Sequence, residues 1–256
     1  MKRSLLLLAC VMPLLGCGRG SGTKPAAEPL RIAAASDLQA VMPKILERFK
    51  ATKGVDASVS FGASGLFVQQ IRQGAPFDVF LAANRKFVTD LADAKIIDPA
   101  TVQDYAIGSL ALVVRDEMPP EITTLADLKN PAIKKVAMAN PDTAPYGAAA
   151  KQALEKSGLW DVLEPKRVQA ETVRQALQFV ESGNAEAGLV GTAIAKIKGV
   201  RVIPVDSSLH APLVQTLGVI AESQRKKDAM AFATFVLSGE GHDLLREAGF
   251  QVDFRK

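Results

Sequence analysis

A chain of 256 residues that is 48% hydrophobic and 23% charged folds into a globular core rather than staying disordered, and its length allows one large domain or two of ordinary size. Its 31 basic residues against 27 acidic ones give a formal charge of +4, without a basic cluster interleaved with aromatics, so nucleic acid is not an expected partner. Aromatic residues make up only 5% beside abundant Ala, Val, Ile and Leu, a composition suited to parallel α/β sheets covered on both faces.

The first element in the chain is a leader. Met1-Lys2-Arg3 is a positive n-region, and Leu5 to Leu15 is an apolar stretch too short to span a bilayer. It ends in Leu14-Leu15-Gly16-Cys17, which resembles the lipobox of bacterial lipoproteins, in which the cysteine is lipidated and becomes the first mature residue. The alternative is an ordinary secretory leader cut near Gly18 or Gly20. Loss of Lys2 and Arg3 leaves 29 bases against 27 acids, about +2. Cys10 and Cys17 are the only cysteines, so the mature domain is expected to have no disulfide, thiol nucleophile or cysteine metal site. Residues 18–29, rich in Gly, Ser, Pro and Ala, read as a flexible tether. An exported, tethered, globular protein is expected.

Residues 30–38, LRIAAASDL, open the folded region. A short apolar run reaches Ser36, and Leu38, Val41, Met42, Ile45, Leu46 and Phe49 then follow at helical spacing. A strand running into a helix, with Ser36 at the N-cap, is predicted. The small residues before the cap leave backbone N–H groups and a helix dipole open to an anion. Residues 55–61 alternate as a strand, and Ser64 lies in a second small-residue turn before a helix over 66–74. Residues 76–83 are a third strand, and Asn84 opens a helix over 85–94. Three strand–turn–helix units in succession indicate a parallel sheet, whose ligands gather beyond the C-terminal strand ends.

The rhythm breaks at residues 106–115, an extended run with no helix after it, and a connection with one short helix near 124–128 follows. Alternation resumes with a strand at 136–139, a turn through Asn140 to Gly147, and a helix over 148–157. Next come a strand at 167–170, a helix over 174–183 opened by Glu171-Thr172-Val173, a strand at 185–191 and a short helix from Thr192. A strand at 200–205, an extended return at 213–221 and helices over 224–237 and 239–247 complete the chain. This pattern fits one doubly wound sheet or, with two helix-free segments joining two α/β units, two lobes with a double hinge and a ligand cleft between them. The two-lobed division assigns 30–106 with 220–256 to lobe 1 and 107–219 to lobe 2.

Five pieces in fixed order carry a family resemblance: Ala33-Ala34-Ala35-Ser36, Phe61-Gly62-Ala63-Ser64, Gly74 to Phe80, Asn140 to Gly147 with its Ala-Pro-Tyr-Gly, and Ala170-Glu171-Thr172-Val173. Together they resemble the periplasmic molybdate-binding proteins of ABC transporters, members of the type II solute-binding fold, over about residues 30–254. The resemblance implies a monomeric receptor that binds molybdate, and with it tungstate, and hands it to an inner-membrane ABC permease. It implies that Ser36 and Ser64 give hydroxyl and backbone N–H donors and that Tyr146 and Val173 give backbone N–H groups from the other lobe. No protein group would ligate the molybdenum directly, and no cofactor is implied. The fifth family donor, commonly a tyrosine hydroxyl, falls on Gly191. Glycine has no side-chain donor, so Thr192, Tyr146 or water would have to replace it, or the pocket would prefer another oxyanion.

Other chemistry is weaker. His210 and His242 carry no acidic–histidine motif and are expected to be solvated. Asp37 and Glu171 are expected to favour helix N-termini electrostatically, and Asp78, within an apolar strand, to need a local hydrogen bond. Trp160 is expected to pack at the end of its helix. A receptor for a different tetrahedral anion and an enzyme on the same scaffold are the alternatives.

Overall fold

The computed structural model describes residues 28–252. The leader with Cys17, and the tether up to residue 27, lie outside the described residues. Two five-stranded sheets form two lobes, as the two-lobed reading of the sequence expects.

Lobe 1 begins with β1 (Leu30–Ala35), β2 (Ala57–Gly62) and β3 (Val79–Ala82). The middle strand, β1, is parallel to both neighbours, with Ala34 opposite Phe61 and Leu81. Apart from Arg31 its side chains are apolar and buried, and the last three are alanines, as a strand covered by helices on both faces requires. The crossovers are α1 (Met42–Lys53) and α2 (Ser64–Arg72), and α3 (Arg85–Asp93) follows β3. Gly54 ends α1 in the left-handed conformation, at φ +66°, which glycine adopts without strain.

Lobe 2 repeats the arrangement. Here β6 (Val136–Ala139) is parallel to β7 (Arg167–Ala170) and β8 (Ala187–Gly191), with α4 (Pro145–Lys156) and α5 (Val173–Glu181) as crossovers. The strand orders are β2-β1-β3-β10-β4 and β7-β6-β8-β5-β9, where β4 is Gln103–Gly108, β5 Leu110–Arg115, β9 Val200–Pro204 and β10 Leu213–Val219. In each sheet the fourth strand is antiparallel and has just crossed from the other lobe. The chain leaves lobe 1 through edge strand β4, turns at Ser109 into β5, and returns from edge strand β9 into β10. The final helices, α6 (Lys226–Val236) and α7 (Gly239–Ala248), pack on lobe 1.

Three expectations are corrected. The extended run at 106–115 is two strands in different sheets, broken at Ser109. The lobe 2 boundary of 107–219 shifts, because β4 continues to Gly108 and β10 belongs to lobe 1, pairing Leu217 with Leu81. Residues on both faces of β10 are buried, so it needs a sheet interior, not a linker. Finally, Ser36 does not cap a long helix: it opens a three-residue 3-10 turn, and α1 starts only at Met42.

The lobe 1 core outside its sheet centres on Phe49, which meets Phe232 edge-on at 5.2 Å between ring centres and Phe235 at 5.8 Å. Phe49 is fully buried and ties α1 to α6. Phe49→Ala is expected to cost about 3–5 kcal/mol of folding stability, seen as a lowered midpoint in chemical denaturation.

Candidate functional site: a donor-lined cleft between the lobes

The first turn of a helix leaves its N–H groups without intrahelical acceptors, and proteins usually cover one of them with a capping side chain. Several helices here obey that rule: Asn84 caps α3, Thr172 caps α5 and Ser238 caps α7. Around one point it is broken. The N-cap residues of the turn at Ser36, of α2 and of α4 are Ala35, Ala63 and Ala144, and none has a side-chain cap bond. Those three alanines line a single cavity together with Ser36, Asp37, Ser64, Ala83, Tyr146 and Val173. The helices α1 and α6 also lack side-chain caps, but their first residues lie elsewhere.

Each wall of the cavity presents donors. Ser64 is the first residue of α2 and is buried. Its Oγ accepts the Ala83 N–H at 3.1 Å, so its own hydroxyl hydrogen is left to point elsewhere. In α4 the first residue is Pro145, which has no N–H, making Tyr146 the first backbone donor of that helix. Val173 is the first residue of α5. Among the described residues no protein acceptor takes the N–H of Ser64, Tyr146 or Val173. The lobes meet here directly, the Gly65 N–H donating to Thr143 O across the cleft at 2.9 Å. A Cβ on Gly65 would stand 2.8 Å from that oxygen, which explains the glycine. As the lobes stand, the space left between these walls is about 10 Å³, room for a single water-sized group.

Ser36, Ser64, Tyr146 and Val173 therefore share one cavity, and Gly191 does not line it. The Tyr146 ring lies over Gly191, with Cε1 3.0 Å from where a Cβ would stand, so a tyrosine at 191 and the present Tyr146 cannot share that space. Thr192 Oγ1 donates to Ser109 O at 3.1 Å and is engaged at the hinge.

Sequence reasoning gave Asp37 only a helix-terminus role. Its carboxyl is buried in the cavity wall, and burial pushes its pKa from 3.8 to about 6, against hydrogen-bond donors that pull it down. Oδ2 accepts from Gln215 Nε2 at 2.8 Å, and Gln215 Oε1 accepts from the Tyr105 hydroxyl at 3.2 Å. Burial, helped by the neighbouring Asp37 charge, raises both the Tyr105 and Tyr146 phenols well above their ordinary value. The signal for this network was a glutamine inside the apolar run LVQTLGV, since a polar side chain in a buried strand needs a partner.

The comparisons with known proteins agree with this architecture. The family model of the bacterial extracellular solute-binding proteins matches residues 30–251. The chain belongs to that family. Among its relatives, the molybdate-binding protein ModA of Escherichia coli is 34% identical over 233 residues, 87% of this chain and 89% of that one. The ModA of Azotobacter vinelandii is 32% identical over 248 residues, covering 95% and 97%. A putative ABC transporter substrate-binding lipoprotein of Bacillus subtilis, YvgL, is 28% identical over 98% of this chain and 99% of that one. Among solved structures, the periplasmic molybdate-binding protein of Azotobacter vinelandii superposes with a TM-score of 0.80 at 28% identity, over 86% of this chain and 98% of that one.

Other features of this family member offer less. A surface cleft of about 480 Å³ carries Lys44, Arg174 and Lys196, but Lys44 pairs with Glu247, Arg174 with Glu181, and Lys196 donates to Glu247 O. His210, expected at the surface, is buried, with Nδ1 2.8 Å from Ala211 O. Among the described residues no group of three His, Cys, Asp or Glu side chains is placed to hold a metal ion. Asp78 accepts from Arg31 N and Ser223 Oγ at 2.7 Å each, the local bonding a buried strand carboxylate requires. Trp160 is covered by the Arg167 guanidinium at 3.5 Å from the ring centre.

Because the folded pKa of Asp37 is raised, the stability linked to its protonation is present below pH 3.8 and lost as pH rises through about 6. That shift corresponds to about 3 kcal/mol. Asp37→Asn is expected to remove this component of the pH slope, measured as thermal midpoints of parent and variant from pH 4 to 7.5.

Proposed function

We propose that this protein is an extracytoplasmic oxyanion receptor. It binds molybdate, and with it tungstate, and delivers the anion as a monomer to an ABC importer of the inner membrane. One observation supports this above the others: helix starts left uncapped by alanine converge from both lobes on one small cavity. The names of the similar proteins supply the ligand, since the relatives from Escherichia coli and Azotobacter vinelandii are molybdate-binding proteins.

In this reading Ser36 and Ser64 donate through hydroxyl and backbone, and Tyr146 and Val173 through their N–H groups. Gly191 gives nothing. The anion is held by neutral dipoles without a cation or cofactor, and no protein atom ligates the metal. A hydrogen bond to a charged group is worth roughly 1.5–3 kcal/mol, so four span the roughly 8 kcal/mol of a micromolar complex. Closure of the lobes over the anion gives the shape a permease reads. Cys17 anchors the mature chain through lipid, with residues 18–29 as tether. The role is that of a receptor and not an enzyme.

A second tetrahedral anion is favoured by one feature. Asp37 places a carboxyl in the wall, and a carboxylate accepts a hydrogen bond from a protonated oxyanion such as hydrogen phosphate while opposing a fully ionised one.

Calorimetric titration of the purified chain with molybdate, tungstate, sulfate and phosphate separates the two. One-to-one binding of the first pair alone is expected, and binding of phosphate in their place would transfer the assignment. Ser36→Ala and Ser64→Ala are each expected to weaken molybdate binding roughly 10- to 100-fold, Ser36→Ala with little change in thermal midpoint and Ser64→Ala with a lowered one, because the Ala83 N–H loses its acceptor. Unchanged affinity in both variants would remove these serines from the site.

A further inference from the structure

We propose that the Tyr146 hydroxyl of lobe 2 and the Asp37 carboxyl of lobe 1 form a polar latch across the hinge that holds the lobes closed. The two are positioning residues for anion capture, distinct in role from the donors. The inference deepens the receptor reading and rests on it for its ligand.

The phenol is admitted by two absent side chains. Its ring lies over Gly191 in its own lobe, and its hydroxyl lies against Gly108, the last residue of β4, where any Cβ would collide with that oxygen. Gly108 directly precedes Ser109, the point at which the chain crosses between lobes. The hydroxyl therefore reaches out of lobe 2 into the hinge of lobe 1.

What it meets there is already oriented. The Tyr105 hydroxyl donates to Gln215 Oε1, which turns the amide so that Nε2 donates to Asp37 Oδ2. Tyr105 and Gln215 are fully buried and belong, like Asp37, to lobe 1. Gln215 Nε2 would also stand 3.0 Å from a Cβ on Gly108, which places it beside the phenol.

Asp37 Oδ1 and the Tyr146 hydroxyl are the unsatisfied ends of this chain. Both atoms are buried, and neither has a partner at hydrogen-bond geometry. They stand near enough for each to act on the other's ionisation. Two buried polar groups from separate lobes, with Gln215 beside both, are worth most when the lobes close enough to pair them. Opening the cleft separates them and lets water reach both. The latch thus biases the open–closed equilibrium, and affinity follows the closed population.

The test uses Tyr146→Phe, which keeps the ring and the backbone donor, Asp37→Asn, and the double variant. Spin labels at the exposed positions Lys53 and Ser157, one per lobe, report interlobe distance by pulsed electron resonance, and stopped-flow dissociation reports molybdate release. Both single variants are expected to shift the distance distribution toward the longer population and to speed release roughly tenfold. The double variant should be no worse than either single, because one interaction is lost once. Distance distributions that coincide with the parent's, or effects that simply add, would overturn the latch. If the parent binds no molybdate, the ligand assignment falls, and the anion-free distances still decide the latch.

Discussion

Unsatisfied backbone N–H groups govern this molecule. A helix N-terminus buried without a cap is costly, and the protein accepts that cost at Ala35, Ala63 and Ala144 while capping α3, α5 and α7 with Asn, Thr and Ser. Those three alanines, unlike the uncapped starts of α1 and α6, face one another across a cavity. Small residues do two things there. They leave the donors bare, and they let backbone approach backbone, as at Gly65 and Thr143. A serine or aspartate at any of these N-caps would satisfy the donors internally and fill the space, so the local instability of each helix start is what makes the site.

Topology brings those helix starts together. In each lobe the parallel strands end at the cleft, and each lobe's fourth strand arrives from the other lobe. Two crossings, at Ser109 and at residues 205–212, therefore connect two nearly equivalent sheets. Since β5 and β10 are central to their sheets and not appended at an edge, each lobe is completed only by chain that has passed through the hinge. The lobes are cooperative with the hinge by construction, and movement at the hinge is transmitted to sheet interiors rather than to loops.

Much of this was legible in the sequence, for identifiable reasons. The β1, β2 and β3 units were clear because each apolar run ends in small residues and a new period of 3.6 begins. Ser36 and Ser64 stood out as hydroxyls at those changes of period. What escaped was whatever depends on partners distant in sequence. The assignment of β10 to lobe 1 rests on its register with β3, some 135 positions earlier, and nothing local signals it. The start of α1 at Met42 was hidden because the apolar spacing begins at Leu38, inside a 3-10 turn that shares the same face. Gly191 looked like a lost donor when read alone, yet it is the floor for the Tyr146 ring. Asp37 looked like an acid that only favours a helix N-terminus, because its burial is created by Gln215, Tyr105 and Tyr146, from three other elements.

That last group explains how a site of neutral dipoles can be selective and still release its ligand. Helix dipoles and N–H groups attract any anion of suitable size, and their strength is fixed by geometry. A cation in the wall would deepen the well and slow release. A buried carboxyl acts in the opposite direction: its charge opposes a dianion, and its burial draws its pKa toward neutrality. The anion must then overcome both the lobe-opening equilibrium and a partly ionised neighbour, so only a ligand that engages donors from both lobes at once gains enough to close the cleft.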